Sequence, residues 1–322
     1  MLTDKLMLNR RILRIKAFKV LYAAAENPDL PLKEALGSLD ASCEASRDLY
    51  LYMMGVIPAL TAEAARRTEA ARTKFNPTPE ELNPNLKFVK NAVSALLEAD
   101  PDFARLNQNR HFSWAQNDAF IFGLWETLKS REYFTAYMNS TQSSLQDDVS
   151  LWKTVFTEEF EDNDALAAIL EDLSIHWADD LAYALGACLR TLDGMARTGR
   201  WDFPPLFQSD ILKAQGKQVD SDSDFVHKLL TASYGHREEY SGLISSSVSK
   251  WDLDRLCTSD IILVTMGLSE AVTFPEIPVK VTINEYVEIA KYYSTPRSGA
   301  FVNGLLDRLA KQLESEGKIV KL

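Results

Sequence analysis

Apolar residues recur at helical spacing along almost the whole of this 322-residue chain, and that periodicity leaves few folds open. Leu13, Ala17, Val20, Leu21 and Ala24 fall at i, i+4, i+7, i+8 and i+11, a single stripe along one helix face. Phe120, Leu124 and Leu128 repeat at i, i+4 and i+8, and Leu151, Val155, Phe160, Leu181, Leu185 and Leu192 extend the pattern. Glycine is scarce, at 13 residues, and Ala, Leu, Glu, Asp and Lys dominate, which are residues at home in helices. The expected fold class is therefore all-α.

Breaks divide the pattern. Pro28 and Pro31 end the first helix, because proline has no amide hydrogen and its ring clashes within a helix interior. A long helix is expected over 43–73, kinked at Pro58. Pro77, Pro79 and Pro84 mark a loop at 75–85, and a second loop covers 199–224. Helices are expected between them over 87–99, 113–139, 147–161, 163–177 and 179–196. The large apolar residues and tryptophans of this middle region predict an ordered helical body, since disordered segments lack the surface to offset chain entropy.

Charge and cysteine content exclude several functions. The net charge of −11 rules out a generic polyanion binder, so nucleic-acid binding requires a local basic patch. One exists at the start, where Lys5, Arg10, Arg11, Arg14, Lys16 and Lys19 face only Asp4 within residues 1–22. Cys43, Cys188 and Cys257 are isolated and odd in number, which fits neither a disulfide framework nor a zinc site. No run of about 18 apolar residues predicts a membrane span, and no signal-peptide pattern is present, so a cytoplasmic location is expected. His111, His176, His227 and His236 lack ligand spacing, and no phosphate-cradling glycine motif occurs. The expectation is a protein that is not an enzyme and uses no cofactor or metal.

The first helix carries a second stripe, Arg11, Arg14, Phe18 and Tyr22, at i, i+3, i+7 and i+11. Guanidinium groups beside aromatic rings suit single-stranded RNA, which offers phosphates to the charge and unstacked bases to the rings. The same residues also fit a solvated basic helix end with both rings in the core.

Three segments carry a resemblance. They are the N-terminal NRRILRIKAFKVLYAA, the stretch from Phe225 to Leu256 (FVHKLLTASYGHREEYSGLISSSVSKWDLDRL), and the C-terminal IPVKVTINE, EIAK and FVNGLLDRLA. Together they resemble the NusB family of transcription antitermination factors, over somewhat under half of the chain. The resemblance implies a NusB-like helical bundle enlarged by an inserted helical region. Residues 1–32 would form the basic first helix of the core, 33–222 the insertion and 223–322 the C-terminal core. It also implies a function: RNA binding together with the small-subunit ribosomal protein NusE on boxA-type RNA, acting indirectly on the RNA polymerase elongation complex, with no membrane partner. Carried over position by position, the family's RNA contacts fall on Arg10, Arg11, Arg14 and Phe301, with Lys19 and Arg297 adding charge. Asp260 matches an acidic position in the region that docks NusE, and is expected to be exposed in the first turn of its helix. Asn284 and Glu285, from the family's INE signature, are expected to satisfy backbone groups. The chain departs from the family in having Ala300 where a basic residue often precedes the phenylalanine, and Arg297 where an aspartate is common. A protein scaffold without RNA binding, or a module of the kind attached to ribosomal RNA cytosine methyltransferases, are the alternative readings.

An internal match also appears. Trp177 and Trp251 lie 74 residues apart, and at that shift Val155, Phe156, Ile169, Leu170 and Cys188 meet Leu229, Leu230, Leu243, Ile244 and Ile262. This fits a partial duplication over 147–196, and it equally fits chance similarity between amphipathic helices.

Overall fold

The computed structural model describes residues 8–177, 179–207, 222–248 and 256–322. Lys5 and residues 251–255, with Trp251, lie outside the described residues. No strand occurs among those that are described, and the fold is all-α. The helices are α1 (Arg10–Glu26), α2 (Leu32–Met54), α3 (Val56–Arg72), α4 (Pro79–Leu82), α5 (Ala92–Ala99), α6 (Pro101–Arg110), α7 (Asp118–Ser130), α8 (Glu132–Asn139), α9 (Leu145–Glu159), α10 (Asp164–Leu173) and α11 (Leu181–Thr198). They continue as α12 (Asp222–Gly235), α13 (Arg237–Ser247), α14 (Thr258–Thr273), α15 (Val279–Tyr293) and α16 (Ser298–Ser315).

Local rules account for the differences from the expected bounds. The break expected at Pro58 comes at Gly55, which places Pro58 in the first turn of α3, where a missing amide hydrogen costs nothing. The helix expected from residue 87 begins at Ala92 because Asn91 caps it, its Oδ1 accepting from Ser94 N at 2.8 Å. The expected helix over 113–139 is three pieces: a 3₁₀ turn at Trp114–Asn117, then α7 and α8, parted at Arg131. The short α4 lies within the expected loop, and α6, which starts at Pro101, falls between the helices expected over 87–99 and 113–139; Thr78 and Asp100 cap them.

The chain forms two compact units, residues 44–206 and residues 8–43 with 207–322, and their chain boundary falls inside α2. In the first unit α3 packs on α5 and α7, and α9 packs on α5, α8 and α11. Its centre is aromatic: Trp152, Phe156 and Phe160 are fully enclosed, and Phe88 stacks on Trp125 with ring centres 5.6 Å apart. Asn91, 2 % exposed, ties this centre together. Its amide nitrogen donates to Thr61 Oγ1 and Phe88 O at 3.0 and 2.8 Å, and its oxygen accepts from Trp152 Nε1 at 3.1 Å as well as from Ser94 N.

In the second unit α14 is the axis. It meets α1, α12, α13, α15 and α16, and eleven of its residues, from Asp260 to Ala271, are buried on all sides. Gly267 permits the closest of these approaches, since a Cβ there would sit 2.7 Å from a Leu306 methyl. Helix α11 differs: its buried residues Ala184, Leu185, Ala187, Cys188, Leu192 and Met195 make one stripe, and the opposite face is open.

The two units share a pattern in sequence order. Helices α9, α10 and α11 have 15, 10 and 18 residues, and α12, α13 and α14 have 14, 11 and 16. A shift of 74 residues brings each helix end of the first trio to within three residues of its counterpart in the second.

Five of the six tryptophans, Trp114, Trp125, Trp152, Trp177 and Trp201, lie in the first unit, so tryptophan fluorescence in urea with Trp251 replaced by Phe follows its unfolding. Asn91→Ala removes a helix cap and takes away the acceptor of the buried Trp152 Nε1, and should destabilise this unit by roughly 2–4 kcal/mol. An unshifted urea midpoint would show that the Asn91 network contributes nothing.

Candidate nucleic-acid interface

The first turns of α1 set the site. Asn9 caps the helix, its Oδ1 accepting from Ile12 N at 3.0 Å. The next arginines then point in three directions, each to a carboxylate. Arg10 donates from Nε to Asp222 Oδ1 at 3.3 Å, and its guanidinium lies 4.8 Å from the Phe225 ring centre. Arg11 makes a two-pronged pair with Glu285, at 2.9 and 2.7 Å. Arg14 does the same with Glu270, at 2.7 and 2.9 Å. Arg10 and Arg11 keep 41 % and 46 % of their side-chain surface in solvent, whereas Arg14 keeps 4 %.

The sequence therefore overstates the exposed charge. Arg14 was expected at an RNA surface, but the turn that buries Leu13 and Ala17 carries it inward onto Glu270. Lys16 is also buried, its Nζ donating to Ser42 O at 2.7 Å and so tying α1 to the middle of α2. Lys19 is half-buried, with its ammonium 5.8 Å from the Tyr293 ring centre. Phe18 is 4 % exposed and packs on Tyr293, while Tyr22 is 39 % exposed.

Glu270 was not singled out from sequence, and it is the most heavily bonded acid in the site. It is fully buried, and besides Arg14 it accepts from Thr282 Oγ1 at 2.9 Å and Tyr286 OH at 3.1 Å. Burial opposes the charge on Arg14, but the hydrogen bond and charge of Glu270 outweigh it and raise the guanidinium pKa. Burial, and then the Glu270 charge, push the Tyr286 phenol well above its usual range. The available signal was the lone glutamate inside the apolar run IILVTMGLSEAV. A second departure is Glu285, which pairs with a side chain and not with backbone groups; hydrogen bonding from Arg11 holds its carboxyl below the usual range despite partial burial. Asn284 is exposed.

The other end of the site is the α15–α16 junction. Arg297 is exposed and precedes α16, and Phe301 is half-buried in the first turn of that helix. Ser298, the first residue of α16, does not cap it. Its hydroxyl instead donates to Asp260 Oδ2 at 3.0 Å and accepts from Thr295 N at 3.2 Å. Asp260 was expected to be exposed, yet it is 3 % exposed, because it also accepts from Ser294 Oγ at 2.7 Å. This carboxylate fixes the loop that carries Arg297 and delivers Phe301.

Arg10 and Arg11 border an open groove of about 460 Å³ whose floor is Ile277, Pro278 and Val281. Val281 is 46 % exposed, and Glu276 and Glu285 complete the wall. The groove thus offers two solvent-exposed cations with the buried Arg14 behind them, an apolar floor and two acids. Among the described residues, no group of three or more His, Cys, Asp or Glu side chains could hold a metal ion.

Comparison with known proteins supplies the lineage. The NusB family model matches residues 205–311, which include the floor of this groove, Glu285, Arg297 and Phe301. The transcription antitermination protein NusB of Methylacidiphilum infernorum is 40 % identical over 111 residues, covering 34 % of this chain and 69 % of the relative. The chain belongs to the NusB family. NusB of Salinibacter ruber is 38 % identical over 101 residues, 31 % of this chain, and the match spans 63 % of that relative, a little under two thirds of its length. A solved structure of T. maritima NusB is 32 % identical over 33 % of this chain and 75 % of its own, with a TM-score of 0.27, so the family assignment rests on sequence. The family model begins at residue 205, beyond nearly all of the first unit.

Removing one member of a buried, hydrogen-bonded ion pair leaves the other uncompensated. Glu270→Ala should cost about 3–5 kcal/mol, whereas replacing both members with Arg14→Met and Glu270→Leu should recover much of it. Amide exchange in α14 and α15 reports on this unit; equal protection in wild type and Glu270→Ala would refute a stabilising role for the pair.

Proposed function

We propose that this chain is a transcription antitermination factor that binds single-stranded boxA-like RNA jointly with a small-subunit ribosomal protein, NusE. The observation that carries the reading is the match of residues 205–311 to the family, within which relatives are named transcription antitermination protein NusB. The protein acts by position and not by bond chemistry. RNA and ribosomal protein each add modest affinity, and the joint complex engages the elongating polymerase.

On this reading RNA follows the groove beside α1. Arg10 and Arg11 take phosphates, the exposed floor at Val281 takes a base or sugar face, and Lys19 and Arg297 add charge at either side. Phe301 stacks a base near the α16 N-terminus, where free amide hydrogens favour a phosphate. Arg14 contributes from below, by fixing α1 against α14 and α15. Asp260 supports partner docking in the same indirect way, through the loop it holds.

Residues 147–196 of the first unit are a partial repeat of the α12–α14 trio on this reading, and the unit serves as a protein-docking body. A second reading, a scaffold without RNA binding, is favoured by one observation: all three α1 arginines already hold a carboxylate.

Titration of a boxA-like RNA at several salt concentrations tests the proposal. Single strands lose affinity with a log–log slope of about −0.7 per phosphate contact, so Arg10→Ala with Arg11→Ala should flatten the slope by about 1.4. An identical slope would remove both residues from the RNA site and favour the scaffold.

Phe301→Ala should weaken RNA binding by about 1–3 kcal/mol and leave the slope intact, because stacking carries no charge. Lost melting temperature with full RNA affinity would assign Phe301 to the core instead.

A further inference from the structure

Among the described residues, Arg11 and Glu285 form the most exposed ion pair of the α1 arginines, with 46 % and 19 % of their side chains in solvent. Both carboxylate oxygens are engaged, at 2.7 and 2.9 Å, and Arg14 Nη1 lies 3.6 Å from the same group. Glu285 takes the Nε–Nη2 edge of the Arg11 guanidinium, and that edge cannot serve a phosphate at the same time. The groove is also close to electrical balance: Arg10 and Arg11 face Glu276 and Glu285, and Arg14 is spent on Glu270. The whole chain carries −11, so long-range attraction for a polyanion is weak here.

We infer that Glu285 competes with RNA phosphate for the Nε–Nη2 edge of Arg11, and that this exchange makes the site selective for RNA that gains more than charge. The inference rests on the proposed RNA-binding reading. A strand that offers only phosphates trades one charge-assisted fork for another and gains little. A strand that also sets a base or sugar on Ile277 and Val281, and stacks on Phe301, has further contacts to drive the exchange. Glu285 thereby discriminates by withholding affinity from non-cognate RNA, a device that acts through the unfavoured partner. It is a specificity-determining residue, not a phosphate ligand.

The test measures binding of a boxA-like RNA and of oligo(U) of equal length by fluorescence anisotropy across a salt series, using the full chain. Glu285→Gln removes the competing charge and keeps the shape. It should tighten oligo(U) binding roughly three- to tenfold, tighten boxA binding less, and steepen the oligo(U) slope by about 0.7, one further phosphate contact. Adding Arg11→Gln should abolish the gain. Glu285→Asp keeps the charge but shortens the reach, and should move both quantities the same way by less. Melting temperatures identify any variant with a damaged fold, and the aspartate variant then carries the comparison. Unchanged or weaker oligo(U) binding in well-folded Glu285→Gln, beside a wild type that binds boxA, overturns the inference alone. If neither wild type nor any variant binds either RNA at low salt, the RNA-binding reading fails, and the inference with it.

Discussion

Arg14 and Glu270 stand 256 residues apart in sequence and meet face to face in a space closed to water, with 4 % and 0 % of their side chains exposed. The second unit depends on that meeting. Two charges cannot remain so deeply buried unless each satisfies the other, and the remaining oxygen capacity of Glu270 is taken up by Thr282 and Tyr286. One carboxylate thereby fixes α1, at the beginning of the chain, to α14 and α15 near its end. The direction in which Arg10 and Arg11 project, and hence the groove between α1 and α15, follows from this anchor.

A smaller network does the same for the opposite end of the site. Asp260 collects the hydroxyls of Ser294 and Ser298, and so closes the α15–α16 loop onto the first turn of α14. Both devices use a buried acid from α14 to position exposed residues on neighbouring helices. Their separation explains why a helix with so little exposed surface governs so much of the candidate interface.

The two helical trios differ in how their last helix is used. Val264, Gly267, Leu268 and Ala271 of α14 are buried, and their counterparts at the 74-residue shift, Arg190, Gly194 and Arg197 with Asp193, are exposed or half-buried on α11. Asp193 pairs with Lys153 at 2.7 Å, a solvated contact where α14 has a glycine pressed against Leu306 and Tyr286. The same helix order thus supports a helix enclosed on all sides in one unit and a one-sided amphipathic helix in the other.

Sequence alone determined the all-α class, since apolar spacing such as Leu13, Ala17, Val20, Leu21 and Ala24 is a local property that each helix carries in itself. It also gave the family, because IPVKVTINE and FVNGLLDRLA are contiguous motifs, and the proline-rich loop at 75–85 came from the same kind of local signal. Helix ends were less legible: Gly55 rather than Pro58 parts α2 from α3, and Asn91 delays α5, because caps and first-turn tolerance decide such points. What the tertiary structure alone decided is the state of each charge. Arg10, Arg11 and Arg14 read as equals along one basic helix, and Asp260 read as a surface acid. Whether a charged residue faces water, a groove or a buried partner depends on helices tens to hundreds of residues away, and the electrostatic cost of burial is settled only when Glu270, Glu285, Ser294 and Ser298 come within reach.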